Sequence, residues 1–285
     1  MLDWRSRTAL LRGNGGAARL LALAALLISP AHAQAQTVHA PSRGETQPNV
    51  GMSANTLTNE ERASGWRLLF DGKTLNGWRG LGYDSVPAAH WKVEHGAIKK
   101  IASGNVAKMP DGQPANGGDL MTEATFGDFE LSWEWKATPG MNSGVKYNVS
   151  EQFSLANASN HAALGFEYQL LDDSLHEDNK LANHRAGALY DLIAPNDQKR
   201  LRPVGEWNQS RLIFRGLHGE HWLNGATVVA FDLGTPRMDS LLARSKYAPL
   251  KGFADRRVGH IILQDHGNEV YFRSIKLRVL PARTP

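Results

Sequence analysis

From Trp66 onward, apolar and polar side chains alternate in short runs separated by Gly, Pro, Asn and Asp. A period of two is that of strands buried on one face. The pattern predicts strands at Trp91–Ile98, Asp119–Thr122, Phe129–Trp135, Ser143–Val149, Gly165–Leu171 and Gly187–Leu192. It predicts further strands at Asn208–Arg215, Glu220–Leu223, Thr227–Asp232, His260–Asp265 and Val270–Val279. Asp71-Gly72, Pro139-Gly140 and Asn224-Gly225 mark turns between such runs. Helical period is nearly absent: Met238–Ser245 reads as a short surface helix, and Thr58 with Glu61 forms a capping box for one more turn. Strand material at both ends, Gly65–Gly80 and Gly259–Leu280, predicts one sheet system with no internal repeat. The expected class is all-β, a β-sandwich or jelly roll.

The first residues do not follow this pattern. Arg5, Arg7, Arg12 and Arg19 form a positive region before an apolar run, Leu20–Ile28, that is too short to span a bilayer. Ala31-His32-Ala33 then offers a small-x-small cleavage site, so residues 1–33 read as a secretory signal peptide. Residues 34–57, rich in Gln, Ser, Pro and Asn, read as a flexible leader, and residues 58–285 as the folded domain. A periplasmic or extracellular protein without a membrane anchor is expected. The signal peptide also dominates the charge: 32 basic and 28 acidic side chains fall to 28 and 27 once residues 1–33 are removed. That balance points to no nucleic-acid partner. The absence of Cys excludes disulfides, thiolate metal sites and a Cys nucleophile. No glycine-rich stretch has the strand-to-helix setting of a phosphate loop, so no nucleotide cofactor is expected. Nothing in the sequence sets an oligomeric state.

Alternation converts sequence into faces. In Asn142–Val149, Val145, Tyr147 and Val149 share one face, and Asn142, Gly144, Lys146 and Asn148 the other. In Gly165–Leu171, Phe166, Tyr168 and Leu170 point inward, leaving Glu167, Gln169 and Leu171 outward. In His260–His266, Ile261, Leu263 and Asp265 oppose Ile262, Gln264 and His266. One polar strand face is ordinarily wet sheet. Three such faces carrying amide, carboxylate, ammonium and imidazole groups make a concave ligand-binding face an equal contender. Downstream, Asp172-Asp173-Ser174-Leu175-His176-Glu177-Asp178 concentrates oxygen ligands. Asp172, Asp173 and His176 suit a divalent cation, Ca²⁺ or Mg²⁺ by oxygen and Mn²⁺ or Zn²⁺ by imidazole. A solvated acidic loop is the alternative. Of the eight Trp, Trp66, Trp78, Trp133, Trp135 and Trp207 fall in strand patterns expected to face the core.

Seven segments in order, LLFDGKTLNGWRG, NSGVKY, GFEYQLLDD, GALYDLIAP, GEWN, HWLNG and ILQDHGNEVYFRSIKL, resemble the 3-keto-disaccharide hydrolase domain family from about Trp66 to Leu280. The resemblance implies a concanavalin A-like β-sandwich acting on glycosides oxidised to a ketone at C3. The family's polar motif positions fall on Asn142, Ser143, Glu167, Gln169, Asp172, Asp173, Gln264 and His266. Lys146 departs from the aromatic or Arg expected at its place. A ketone at C3 acidifies the C2 proton, so the chemistry calls for a base, an acid for the leaving group and an electrophile for the enolate. Glu167 and His266 are the candidate base and acid, with Lys146 or a metal as electrophile; Asn142, Ser143, Asn148, Gln169 and Gln264 are candidate substrate ligands. Two alternatives stay open. One is ordinary two-carboxylate hydrolysis by Glu167 and Asp172, and the other a lectin-like carbohydrate-binding module without catalysis.

Overall fold

The computed structural model of the chain describes residues 53–104, 118–158 and 162–281. The expected signal peptide and the leader up to residue 52 lie outside the described residues. The alternating runs become β1 (Arg67–Leu68), β2 (Trp78–Gly80), β3 (Trp91–Glu94), β4 (Ala97–Lys100), β5 (Leu120–Thr122), β6 (Phe129–Ala137) and β7 (Asn142–Val149). They continue as β8 (Phe166–Leu171), β9 (Trp207–Arg215), β10 (His218–Leu223), β11 (Ala226–Asp232), β12 (His260–Leu263) and β13 (Val270–Val279). The larger sheet has the order β11-β10-β9-β6-β13-β4-β3, with β1 also on β13; the smaller runs β2-β5-β12-β7-β8. All of these pairings are antiparallel. Arg67 and Leu68 lie opposite Leu277 and Lys276, so both ends of the domain share one sheet. This is the expected concanavalin A-like sandwich.

Inward residues of the two sheets meet in an aromatic core. Trp133 of β6 packs edge-on against Tyr168 of β8 with ring centroids 4.9 Å apart, and Tyr147 of β7 meets Phe129 and Phe214. Buried phenols need partners. The Tyr168 hydroxyl donates to the Trp222 carbonyl at 3.0 Å, and Tyr147 pairs with the His221 ring at 3.0 Å. Complete burial pushes His221 down to about 4, so it is a neutral bridge inside the sandwich. It has the structural role a lone His beside strands usually has.

Three short helices complete the described fold: α1 (Asn59–Ala63), α2 (Glu151–Asn157) and α3 (Pro236–Arg244). The Thr58–Glu61 capping box opens α1 as expected. The Thr235 side chain caps α3, which begins on Pro236, close to the predicted helix. The sequence pattern gave no sign of α2, a short and largely exposed helix started by the Ser150 cap.

Several expectations need correction. Trp91–Ile98 is a hairpin, because His95 (φ 50°) and Gly96 (φ 74°) adopt the left-handed conformations of a two-residue turn. Gly187–Leu192 is not a strand but an irregular segment along the free edge of β8, held by Gly187 N to Gln169 O, Gln169 N to Ala188 O and Tyr190 N to Glu167 O. It covers an edge that would otherwise be open. In β7, Asn148 has φ 54° and the pairing with β12 shifts there, so alternation inverts. Val149 therefore joins Ile262, Met121, Ala163 and Leu81 in a small outer cluster, not the main core. Trp66 and Trp207 do not enter the core either. They lie on the outer face of the larger sheet beneath cationic side chains, with Arg273 4.0 Å from the Trp207 ring centroid.

Candidate active site

The outward face of the smaller sheet is not wet. Every residue of β7 and β8 is buried, polar ones included, with Glu167 at 3% exposure and Gln169 at 0%. Nearly dry carboxylates and amides on a sheet face signal a roofed site, since unpaired polar groups are costly to bury. Glu167, Gln169, Asn142, Gln264 and His266 line one cavity of about 440 Å³ across the adjacent strands β8, β7 and β12. Alternation thus placed five side chains correctly. The remaining lining is His176, Glu177 and Asp178 from the acidic run, together with Lys180, Tyr190 and Lys246, which the sequence pattern did not single out.

The floor is tightly built. The Gln169 amide lies 3.1 Å from Glu167 Oε1 and 3.1 Å from Ser143 O, and its nitrogen placed there donates to both. Its oxygen then accepts from the Asn142 side-chain amide at 3.1 Å. Gly144, opposite Gln169 on β7, makes the room: a Cβ there would stand 2.3 Å from Glu167 Oε1. Gly within a strand often marks such close approach. Gly144→Ala should leave the sandwich folded, with a near-unchanged melting temperature, yet displace the Glu167 carboxylate. A displacement of about 1 Å can cost on the order of 10²-fold in rate. Full activity in that variant would mean that the position of Glu167 does not matter.

The wall is the segment between β8 and β9. Asp172 accepts from the Ser174 amide at 3.0 Å, the Ser174 hydroxyl and the Gly140 amide at 2.8 Å. Burial alone would raise Asp172; these donors outweigh it and hold the carboxyl below its ordinary range. Asp173 accepts from the Ala186 amide and pairs with Lys199. His184 sits between Asp178 (2.7 Å) and Asp191 (3.1 Å). Burial would lower the imidazole, but the two carboxylates prevail and keep it above the usual His range. The Tyr190 hydroxyl donates to the other Asp178 oxygen at 3.1 Å, and the His184 ring lies 4.3 Å from the Tyr190 ring. Burial, with the charges of Glu167 and Asp178, pushes the Tyr190 phenol well up, so it stays protonated.

Three expected catalytic or substrate-binding residues fall elsewhere. Ser143 points to the interior side, where its hydroxyl donates to Gln264 O at 2.9 Å. Asn148 is buried at the β7 bulge, outside the cavity lining. Lys146 shares the outer face, but its ammonium donates to Ala163 O at 3.0 Å and pairs with Asp119 at 3.7 Å. Burial raises the Asp119 carboxyl, an effect Lys146 partly offsets. Lys146 is therefore committed to a buried pair beyond the cavity. The expected cation ligands do not converge either. Asp172 and Asp173 are consumed by turn and loop contacts, and His176 Nδ1 accepts from the Asp178 amide at 3.2 Å. Among the described residues no group of three or more His, Cys, Asp or Glu is arranged to hold a metal ion.

A larger cavity, about 550 Å³, lies on the outer face of the eight-stranded sheet beside Trp207, Glu134 and Arg273. Its Glu134 is paired with Arg273 at 2.8 Å, and its other carboxylate, Glu206, is exposed to solvent. The smaller cavity is the one that gathers the buried Glu167 carboxylate, three side-chain amides and the His266 imidazole.

Comparison with known proteins places the chain among carbohydrate-active relatives by name. Residues 65–278 match the family described as 3-keto-alpha-glucoside-1,2-lyase-like domain. A 3-keto-disaccharide hydrolase of Bacteroides thetaiotaomicron is 37% identical over 239 residues, covering 76% of this chain and 79% of that protein. Two solved Parabacteroides distasonis structures, classed by name among glycosyl hydrolases, share the fold. One has a TM-score of 0.69 at 30% identity over 80% of this chain and 100% of that one. The other has a TM-score of 0.56 at 25% identity, over 75% and 99%.

Proposed function

Because the chain belongs to the family of 3-keto-alpha-glucoside-1,2-lyase-like domains, we propose that its polar cavity cleaves the glycosidic bond of sugars carrying a ketone at C3, beginning with removal of the C2 proton. The observation that carries this reading is the convergence of Glu167, His266 and three side-chain amides in one roofed cavity. A C3 ketone acidifies the C2 hydrogen because the carbanion is delocalised onto the C3 oxygen. Glu167 takes the proton, and the C2–H electron pair becomes the C2–C3 double bond of an enolate. As the carbonyl re-forms, that pair moves to C1–C2 and the C1–O bond breaks. Its electrons leave with the aglycone oxygen, which His266 protonates. The unsaturated sugar keeps its C2 hydroxyl. Water then adds across C1–C2, and the net change is hydrolysis. Asn142, Gln169 and Gln264, which can both donate and accept, orient the sugar hydroxyls.

The two-carboxylate alternative loses support, because Asp172, its second acid, has both oxygens committed to the Gly140 and Ser174 donors. The deciding experiment offers the purified protein a glucoside and its 3-keto counterpart in deuterated water. Only the keto substrate should be cleaved, with deuterium at C2 of the product above the spontaneous exchange of free 3-keto-glucose. Equal cleavage of the unoxidised glucoside would replace this reading with direct hydrolysis. Binding of both sugars without turnover would make the chain a lectin-like module.

A further inference from the structure

We propose that Lys246 supplies the positive charge that stabilises the enolate oxygen at C3, with Tyr190 positioning its ammonium. The assignment rests on the elimination reading above. When the C2–H bond breaks, its electron pair passes through the C2–C3 bond to the C3 oxygen, and nothing in that step is oxidised or reduced. The cation must therefore face the same two sugar carbons as the base. Lys146 cannot, since its ammonium is drawn to Ala163 O and Asp119. Lys246 lines the cavity together with Glu167 and His266.

Its placement is built, not incidental. The Lys246 amide donates to Asp191 Oδ2 at 2.6 Å, and Asp191 is in turn held by His184. The ammonium lies 4.0 Å from the Tyr190 ring centroid and 5.2 Å from that of Tyr247. Tyr190 is tied by its backbone amide to the Glu167 carbonyl at 3.0 Å, so the ring under the cation is anchored at the residue that carries the base. Tyr247 stacks on Phe253 at 4.0 Å, and Phe253 packs on Phe166, the residue preceding Glu167. Both rings are thus referenced to β8. The ammonium lies at the cavity wall, where its charge acts on an oxyanion formed in the cavity once substrate excludes water. Lys180, also in the lining, lies in the last turn of the 3₁₀ helix Glu177–Lys180 and has no comparable cage among its described contacts.

The test separates enolate formation from bond cleavage. The probe is 3-keto-1,5-anhydroglucitol, which has no group at C1 to expel. Wild-type protein should accelerate deuterium entry at C2 of this probe. Lys246→Met should slow that exchange on the order of 10²-fold, the usual cost of removing one oxyanion donor. It should slow cleavage of a 3-keto-glucoside by the same factor, with little change in KM, while Lys246→Arg restores much of both. Tyr190→Phe, which keeps the ring, should stay within a few-fold of wild type, and Tyr190→Leu should fall toward the Lys246→Met level. Exchange left intact by Lys246→Met sinks this assignment alone. A wild-type protein that cleaves the glucoside but never exchanges the probe sinks the elimination reading and this assignment with it.

Discussion

Replacing Glu167 by Gln should lower turnover of a 3-keto-glucoside by on the order of 10²–10⁴-fold, the range supplied by a positioned general base. The carboxamide has the shape of the carboxylate and can still meet the Gln169 amide, so sugar binding and KM should change only a few-fold. Folding should not suffer. Glu167 is buried on β8 with its charge close to dry surroundings, and a neutral isostere removes a desolvation cost. Glu167 rises from the floor itself, whereas Glu177 and Asp178 belong to the wall and Asp178 already serves His184 and Tyr190. Steady-state kinetics with C2 exchange in deuterated water measures the effect. Wild-type exchange in Glu167→Gln would hand the base role to His266 and reverse the assignment of acid and base.

The largest stability effect is expected behind the site, at Asp265. This carboxylate is fully buried between Lys100 Nζ at 2.9 Å and His90 Nδ1 at 2.6 Å, and its Oδ1 also accepts the Gly267 amide. Its own amide donates to Asp119 Oδ1 at 2.7 Å, which links it to the Asp119–Lys146 pair. Asp265→Ala removes the carboxylate that faces the buried Lys100 ammonium. Breaking a buried pair from one side costs about 3–5 kcal/mol. Urea unfolding should show a lower midpoint with an unchanged slope. Activity should fall as well, because Gln264 and His266 flank Asp265 and share its anchorage. Replacing both partners, as in Lys100→Met with Asp265→Leu, should recover much of the stability, since apolar substitutes for a whole buried pair are often neutral. A loss below about 1 kcal/mol in Asp265→Ala would show that the network is solvated and does not hold the loop.

Alternation alone determined which side of the smaller sheet carries the polar cavity. Phe166, Tyr168, Ile261 and Leu263 face the core, and Glu167, Gln169, Gln264 and His266 face the cavity, as a period of two dictates. The same rule failed at Val149 because the left-handed Asn148 inserts a bulge, and an Asn in a strand pattern does not announce that conformation. It placed Lys146 on the correct face and still misjudged its role. A face is a local property, but the direction of an ammonium is settled by a distant carboxylate, here Asp119. The acidic run after β8 likewise gave ligand types without geometry: Asp172 and Asp173 bind backbone amides of Gly140, Ser174 and Ala186. Tyr190 stands in a run predicted as a strand that is instead irregular, and Lys246 in one with no strand period; they line the cavity with Glu167 because one covers the β8 edge and the other follows α3 back toward it. Period-two geometry is encoded within each strand, so the faces were legible in sequence. The pairing of charges and the closing of the cavity depend on which remote segments the fold brings together, and only the tertiary structure decides that.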